Sequence, residues 1–364
     1  MVPFLDARAA YFELRQEINE GVRRAISSGQ YVGGLEVEAF ERDWAAHCGA
    51  DHAVGVGNGL DALELTLRAL DVGAGDEVIT ASNGFIATLL AISATGAKPV
   101  LVEPDPHTHT LDPAKVEAAI TVRTRALLPT HLYGHPADLS PLLAIARAKG
   151  LALVEDAAQA HGAAYKGKRI GAHGDAVCWS FYPSKNLGAL GDAGAVTTND
   201  RELAYRIRRY GNYGASERYI HQVHGRNSRL DPIQAAVLRA KLPLLDKWNE
   251  RRRRIADFYR ASIGDNALIL PEVAPWADPV WHLFVIRHPD RDAFSARLRA
   301  ANIETLIHYP VPPHLQAAYL DLGLSRGSLP IAEQLAGEIL SLPIGPHLSA
   351  EQASLVAEAV CRLA

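Results

Sequence analysis

Two short stretches carry residue types that could do chemistry together. The first is Glu155-Asp156-Ala-Ala-Gln159-Ala-His161-Gly162, which follows the apolar run Leu151-Ala-Leu-Val154. The second is Ser180-Phe-Tyr182-Pro-Ser-Lys185-Asn186-Leu, which follows Ala176-Val-Cys-Trp179. Each apolar run reads as a buried strand, so each reactive set lies at a strand's carboxyl end. An acid, an amide, a hydroxyl and a lysine beside one sheet suit a site for pyridoxal phosphate. The cofactor's aldehyde needs an amine, so Lys185 is the candidate for the Schiff base. The ring is an electron sink only while its nitrogen is protonated, and a neighbouring carboxylate raises that pKa. Asp156 fits this role. Gln159, three residues on, could donate to the ring oxygen, and Ser180 could bind the phosphate. Taken singly, the lysine reads as a surface residue and the acid as a turn former. Their order and context favour the cofactor.

The surrounding chain predicts how these residues are positioned. From Ala53 it alternates between apolar runs and helical patterns. Strands are predicted at 53–56, 77–80, 99–102, 125–129 and 151–154, with helices at 60–70, 85–95, 113–120 and 139–149. This alternation implies a mostly parallel sheet covered on both faces, with ligands beyond the carboxyl ends of the strands. Asn58, Phe85, His131 and Asp156 fall there. Gly57-Asn58-Gly59-Leu60 leads from a strand into a helix N-terminus, where free N–H groups favour a phosphate. Residues 7–28 read as one amphipathic helix through Tyr11, Leu14, Ile18, Val22 and Ile26. The polar, aromatic stretch 212–229 is long for a loop in a compact protein and reads as a binding element. Asp231-Pro232 starts a helix, and Pro243 breaks or kinks it. Beyond Leu245 the chain predicts a charged helix to about Ile263, strands at 282–286 and 304–307, and helices at 292–301 and 350–363. The expected division is a large cofactor domain, 1–244, and a smaller α+β domain, 245–364.

Composition narrows the function classes. The chain has 364 residues, 48% hydrophobic and 21% charged, with a formal net charge of -4. No strong field draws it to nucleic acid or an anionic membrane. Cys48, Cys178 and Cys361 lack metal or redox spacing and fit a reducing compartment. No metal site is expected. No run is long enough to span a bilayer, and the N-terminus lacks a signal pattern, so a cytoplasmic location is expected.

At this point the residues resemble a known family. The two central motifs, with Pro3-Phe4-Leu5-Asp6, Gly57-Asn58-Gly59-Leu60-Asp61, His131-Leu-Tyr133-Gly134 and Asn227-Ser-Arg229, are similar to the DegT/DnrJ/EryC1/StrS sugar aminotransferases. The resemblance covers essentially the whole chain. It implies an α/β fold of pyridoxal-phosphate transferase type I, aspartate aminotransferase-like, with a mostly parallel seven-stranded sheet, acting as a homodimer with shared sites. It also implies roles. Lys185 resembles the Schiff-base lysine and Asp156 the partner of the ring nitrogen. Gln159 resembles the contact to the ring hydroxyl. Gly59, Leu60 and Ser180 match phosphate contacts, Phe85 the stacked aromatic, and Asn227 a phosphate contact supplied by the neighbouring subunit. Tyr182, Tyr219, His308, Tyr309 and His314 are the expected substrate contacts. His308 and Tyr309 are expected to reach across the dimer as well. Two departures from the family pattern are Gly84 before Phe85, where relatives carry a hydroxyl residue, and Ser184 before Lys185, where many carry glycine.

The intact Lys185 favours transamination over dehydration, since the family's dehydratases carry histidine there. The segment from His308 to Tyr319 looks like the branch acting at C3 of a nucleotide-linked keto sugar. The expected reaction moves an amino group from an amino acid, L-glutamate foremost, to the C3 ketone of a dTDP-linked 3-keto-6-deoxyhexose, with pyridoxamine phosphate as the carrier form. Transamination at C4 of a similar sugar is one alternative. A non-catalytic regulator on the same fold is another, and an α/β binding protein without cofactor a third.

Overall fold

The computed structural model describes residues 1–264 and 268–364. Its frame is a seven-stranded sheet. The strands are β1 (His52–Val56), β2 (Glu77–Ala81), β3 (Lys98–Val102), β4 (Thr124–Leu128), β5 (Ala152–Asp156), β6 (Ala176–Ser180) and β7 (Gly194–Thr198). Their spatial order is β1-β7-β6-β5-β4-β2-β3. Only β7 runs against the rest, pairing antiparallel with both β1 and β6. The turn after β1 and the loops after β4, β5 and β6 therefore open at one end of the sheet.

Side chains alternate along each strand, so a strand buried on both faces feeds two cores. Leu153, Val177 and Trp179 point into a core with helices Leu35–Cys48, Leu139–Lys149 and Pro232–Lys241. Val154, Ala176 and Cys178 point into the other, against helices Gly59–Ala69, Ile86–Ala94 and Arg201–Gly211. A third core gathers Val2 with apolar residues between Ile255 and Val360. There, β8 (Phe284–Arg287) and β9 (Ile339–Leu342) pair antiparallel. Helix Leu245–Ser262 joins the cores: Leu245 packs in the first, and Ile255, Ala256 and Tyr259 in the third. A 3-10 turn, Leu242–Leu244, carrying Pro243, separates it from the preceding helix.

Three sequence-based expectations are corrected. Residues 7–28 form two helices, Ala9–Glu13 and Arg15–Ser27, broken at Leu14. Leu14 and Ile18 are buried against Val237 and Trp248, while Glu13 is held by Trp248, Arg251 and His347. Ile26, expected on the buried face, is 50% exposed. Residues 304–307 are not a strand. Ile303 and Leu306 make isolated bridges to Val2 and Ser341, and the strand of this region is β9, which Pro343 terminates. The stretch 212–229 is not wholly irregular, since it folds a short hairpin, Ala215–Glu217 with Ile220–His221.

Candidate active site

Asp156 ends β5 and is 6% exposed. Its Oδ2 accepts from Thr88 Oγ1 at 2.8 Å and its Oδ1 from the Ala158 N–H at 3.1 Å. Beside it, β6 ends at Ser180, and the chain turns through Tyr182–Gly188 to present Lys185. The Lys185 N–H bonds the Tyr182 carbonyl at 2.8 Å, and the Ala189 N–H returns to Phe181. The turn is tight enough that a Cβ on Gly188 would lie 2.5 Å from the Pro183 carbonyl oxygen. Burial pulls the Lys185 pKa from 10.5 down to about 8, and the charge of Asp156 opposes only part of that. An amine at this value is largely protonated near neutrality but has an accessible neutral fraction.

A phosphate cradle lies alongside. Helix Gly59–Ala69 is capped by Asn58, whose Oδ1 accepts from the Asp61 N–H at 2.9 Å. The N–H groups of Gly59 and Leu60 have no acceptor among the described residues. A Cβ added to Gly59 would fall 2.6 Å from the Ser180 Cβ, so glycine is needed for this close approach. Free N–H groups, the helix dipole and the Ser180 hydroxyl meet at one point, a donor set suited to a phosphate dianion.

The walls come from three segments. Gln159 is buried, accepts from the Tyr133 N–H, and donates through Nε2 to the Tyr309 hydroxyl at 3.2 Å. Phe85 precedes helix Ile86–Ala94, is half exposed, and its ring lies 5.0 Å from that of Tyr309. His308 bonds Ser341 Oγ through Nδ1 at 2.8 Å and lies 5.7 Å, ring to ring, from Phe4. Burial and then the charge of Lys185 push its pKa down to about 4, so it is neutral. The Tyr133 hydroxyl donates to the His308 carbonyl. A Cβ on Gly84 would meet nothing closer than Thr130 Oγ1 at 3.9 Å, so this departure from the family pattern leaves room rather than strain.

The structure thus brings together Asp156, Lys185, Gln159, Ser180, Gly59, Leu60, Phe85, His308 and Tyr309. His308 and Tyr309 were expected to reach across a dimer; in the single chain Tyr309 meets Gln159 and Phe85, and His308 bonds Ser341 beside Phe4. The expected substrate contact His314 lies apart: it is fully buried, and its Nε2 pairs with Glu333 at 3.1 Å. Tyr182 is exposed at the rim, and Tyr219 stands 79% exposed on the hairpin beside Arg218. Asn227 is exposed at the hairpin's base, where its backbone bridges Asn212. That base is tied to its own chain by Arg226 on Glu64, at 2.6 Å, and by Ser228 Oγ, which accepts from the Gly57 N–H at 2.9 Å.

Sequence reasoning missed Thr88, although its spacing of three from Phe85 puts both on one side of a helix turn. It also missed the fully buried pair His131–Glu155, Nε2 to Oε2 at 2.9 Å. The Ala137 N–H donates to His131 Nδ1, so the imidazole proton is on Nε2 and points at Glu155. Burial works to raise the Glu155 pKa, but the bonds and charge it receives outweigh it and leave the pKa lowered. Among the described residues no cluster suits a metal ion, and no helix is long and apolar enough to cross a membrane.

Comparison with known proteins fits this geometry. Residues 13–361 match the DegT/DnrJ/EryC1/StrS aminotransferase family. The chain belongs to that family. It is 59% identical over 98% of its length to the erythromycin biosynthesis sensory transduction protein EryC1 of Saccharopolyspora erythraea, covering 97% of that protein. It is 55% identical to the dTDP-3-amino-3,4,6-trideoxy-alpha-D-glucose transaminase of Streptomyces venezuelae, over 99% of this chain and 95% of the relative. Among solved structures, S. venezuelae DesV in complex with a ketimine intermediate superposes with a TM-score of 0.98 at 55% identity, covering 99% of this chain and 98% of that one. The aminotransferase fold expected from the sequence is therefore the fold observed, and the chain is an aminotransferase.

Proposed function

We propose that the chain moves an amino group from L-glutamate to the C3 ketone of a dTDP-linked 3-keto-6-deoxyhexose. The observation that carries this reading is the pair Lys185 and Asp156, set at the ends of adjacent parallel strands with a phosphate cradle beside them. The C3 position is supported by the transaminase relative at 55% identity, whose name places the amine at C3.

The cofactor is pyridoxal 5'-phosphate, which supplies the electron sink for the carbanion formed as the amino group moves. The chain's residues supply the rest. The neutral fraction of Lys185, available because its pKa is about 8, would take the proton released at the donor's carbon and, as the ammonium, deliver it where the transfer of the amino group requires it. Asp156, held by Thr88, keeps the ring nitrogen's proton in place. Gly59 and Leu60 N–H groups and the Ser180 hydroxyl hold the phosphate. Phe85 would stack on the ring and Gln159 would donate to its oxygen. Tyr309 and neutral His308 face the sugar, and Tyr182 lines the rim. Two such chains form a cytoplasmic homodimer in which the partner's Asn227 adds a phosphate contact, with Tyr219 carried on the same hairpin. In this reading 1–244 and 245–364 are two units, and the site would lie where the β-strand ends of the first meet His308 and Tyr309 of the second.

The test is to incubate the enzyme with glutamate and candidate keto sugars and to locate the new amine by NMR. An amine at C3 supports the proposal. An amine only at C4 moves the reaction to the second reading. The name of the EryC1 relative motivates a regulatory reading, which full cofactor loading without turnover on any sugar would favour.

A further inference from the structure

Behind Lys185 lies a buried polar network that the reaction described above does not use. Asn186, the next residue, is 5% exposed, and its amide meets three groups. Nδ2 donates to the Val280 carbonyl at 2.9 Å and to Asn249 Oδ1 at 2.9 Å. Asn186 Oδ1 lies 3.1 Å from His282 Nδ1. Asn249, 3% exposed, donates through Nδ2 to the His161 carbonyl at 2.7 Å. A Cβ on Gly162, whose φ is +87°, would fall 2.7 Å from that same Nδ2, so the motif and the amide are fitted to each other.

The backbone fixes the direction of every bond in this chain of groups. A carbonyl can only accept, so the His161 carbonyl requires the NH2 of Asn249, and Asn249 Oδ1 then faces Asn186. That oxygen and the Val280 carbonyl both require the NH2 of Asn186. Asn186 Oδ1 is thus left as an acceptor toward His282, and His282 Nδ1 must carry the proton. His282 Nε2 keeps its lone pair. It bonds no group among the described residues, and it is not among the polar atoms sealed in the interior.

We propose that Asn186 is a positioning residue for Lys185, acting by locking His282 as its Nδ1–H tautomer and by tying the lysine turn to Asn249 and Val280. The inference rests on the reading of Lys185 as the amine of the site. The network joins the two reactive motifs to helix Leu245–Ser262 and to the chain entering β8. Arg252, one helical turn after Asn249, spans the Trp281, His282 and Ile344 carbonyls through Nη1, with no carboxylate partner among the described residues. Burial first, then the charges of Lys185 and Arg252, push the His282 pKa well down. The other charged or titratable groups acting on Lys185 and His282 are Asp156, His161 and His308. With the amide in place, the turn is held dry and Lys185 stays poorly hydrated. Without it, water reaches the turn and the ammonium form is favoured.

The experiment has two readouts that need no turnover. In the full chain labelled with 15N-histidine, with and without pyridoxal phosphate, NMR should place the His282 proton on Nδ1 from pH 6 to 9. A proton on Nε2 would overturn the proposal whatever the variants do. In the cofactor-free chain, competitive acetylation read by mass spectrometry gives the Lys185 midpoint, expected at about 8. Asn186→Ala should raise it by about 1 pH unit, and Asn249→Ala by about half as much. Tyr259→Phe, which removes a buried bond to the Pro343 carbonyl, should lower Tm and leave the midpoint unmoved. Asn186→Ala or Asn249→Ala that lowers Tm with the midpoint unchanged would reduce the network to a purely structural role. If Asn186→Ala does not fold, Asn249→Ala and the tautomer decide. Should the reading of Lys185 itself fail, borohydride trapping of pyridoxal phosphate would label another lysine, while the tautomer and the midpoint stand as measured.

Discussion

The site floor and the hairpin at 212–229 are held in opposite ways. On the floor, Asp156, Gln159 and Asn186 are buried; Gln159 and Asn186 each make two bonds to distant segments, and Asp156 is held by distant Thr88 and by the N–H of Ala158. The floor is complete within one chain. The hairpin is anchored at its base by Arg226 on Glu64 and Ser228 on Gly57, and along its side by Arg209 on Gln222, while Tyr219 and Ile220 stand 79% and 53% exposed. Tyr219 and Ile220 stay largely exposed at a polar loop tip, Tyr219 with its neighbour Arg218 over the ring, whereas the floor residues are buried and bonded. The floor is therefore organised in advance for chemistry and is costly to build. The hairpin is cheap to build, and in the proposed dimer it would acquire its role against a second copy.

Substitutions can sharpen or break this contrast. The largest effect is expected from Lys185→Ala, which removes the amine itself. Turnover with glutamate should fall by more than about 10³-fold, with the fold intact by circular dichroism. Turnover near that of the parent would displace Lys185 from the chemistry. Asp156→Asn keeps the shape and can keep the Thr88 bond but loses the charge. A loss of about 10²-fold in kcat with cofactor still bound is expected, since about 2–3 kcal/mol of ring-proton stabilisation is removed. Parental kcat in that variant would require another acid.

Gly59→Ala tests the cradle. The new Cβ falls against Ser180, an overlap that must shift the helix start or the strand end. Cofactor Kd should rise by about tenfold or more, measured by absorbance titration, with the apoprotein destabilised by about 1–3 kcal/mol. Unchanged affinity would move the phosphate elsewhere. Asn227→Ala addresses the hairpin, and the contrast predicts a different pattern: Tm unchanged, cofactor affinity reduced severalfold. At subsaturating cofactor, where Asn227→Ala is impaired, mixing this variant with Lys185→Ala chains should form some dimers with one intact site and raise activity above the sum of the two parents. A monomer at working concentration would end the shared-site reading.

The same contrast separates what the sequence told from what it hid. Helices Leu139–Lys149 and Ala350–Leu363 are readable to the residue, because Gly150 closes one and the Ser349–Gln352 capping box opens the other. Asp156 with Gln159, and Ser180 with Lys185, are legible because each pair is local to one strand end. Thr88 on Asp156, Tyr133 on Gln159 and His282 on Asn186 are bonds between segments 68, 26 and 96 residues apart. No local pattern announces them. Residues 304–307 misled because Glu304-Thr-Leu-Ile alternates like a strand, yet only Leu306 pairs with β9.

The smallest effect is the most direct measure of what the floor costs. Lys185 has a pKa of about 8 in the folded chain against 10.5 as the ordinary value. Below pH 8 the ammonium is charged in both folded and unfolded chains, so the penalty for burying it is fully present. Between pH 8 and 10.5 the folded chain has released the proton and the unfolded chain has not, so stability climbs with pH. Above 10.5 both are neutral and the penalty is gone. Lys185→Met keeps the length of the side chain and removes the charge. The cofactor-free variant should therefore be more stable than the parent by about 1–2 kcal/mol at pH 7, after allowing for partial hydration of the amine. The gain should shrink to nothing as pH rises through 10. Lys241, whose pKa is also lowered to about 8 by burial, adds the same slope to both chains and cancels in the difference. Asn227→Ala, by contrast, should show no pH-dependent change at all. Denaturant unfolding of the three chains at pH 7 and pH 10 measures this. A Lys185→Met chain less stable than the parent at pH 7 would mean that the floor is held together by its lysine rather than burdened by it.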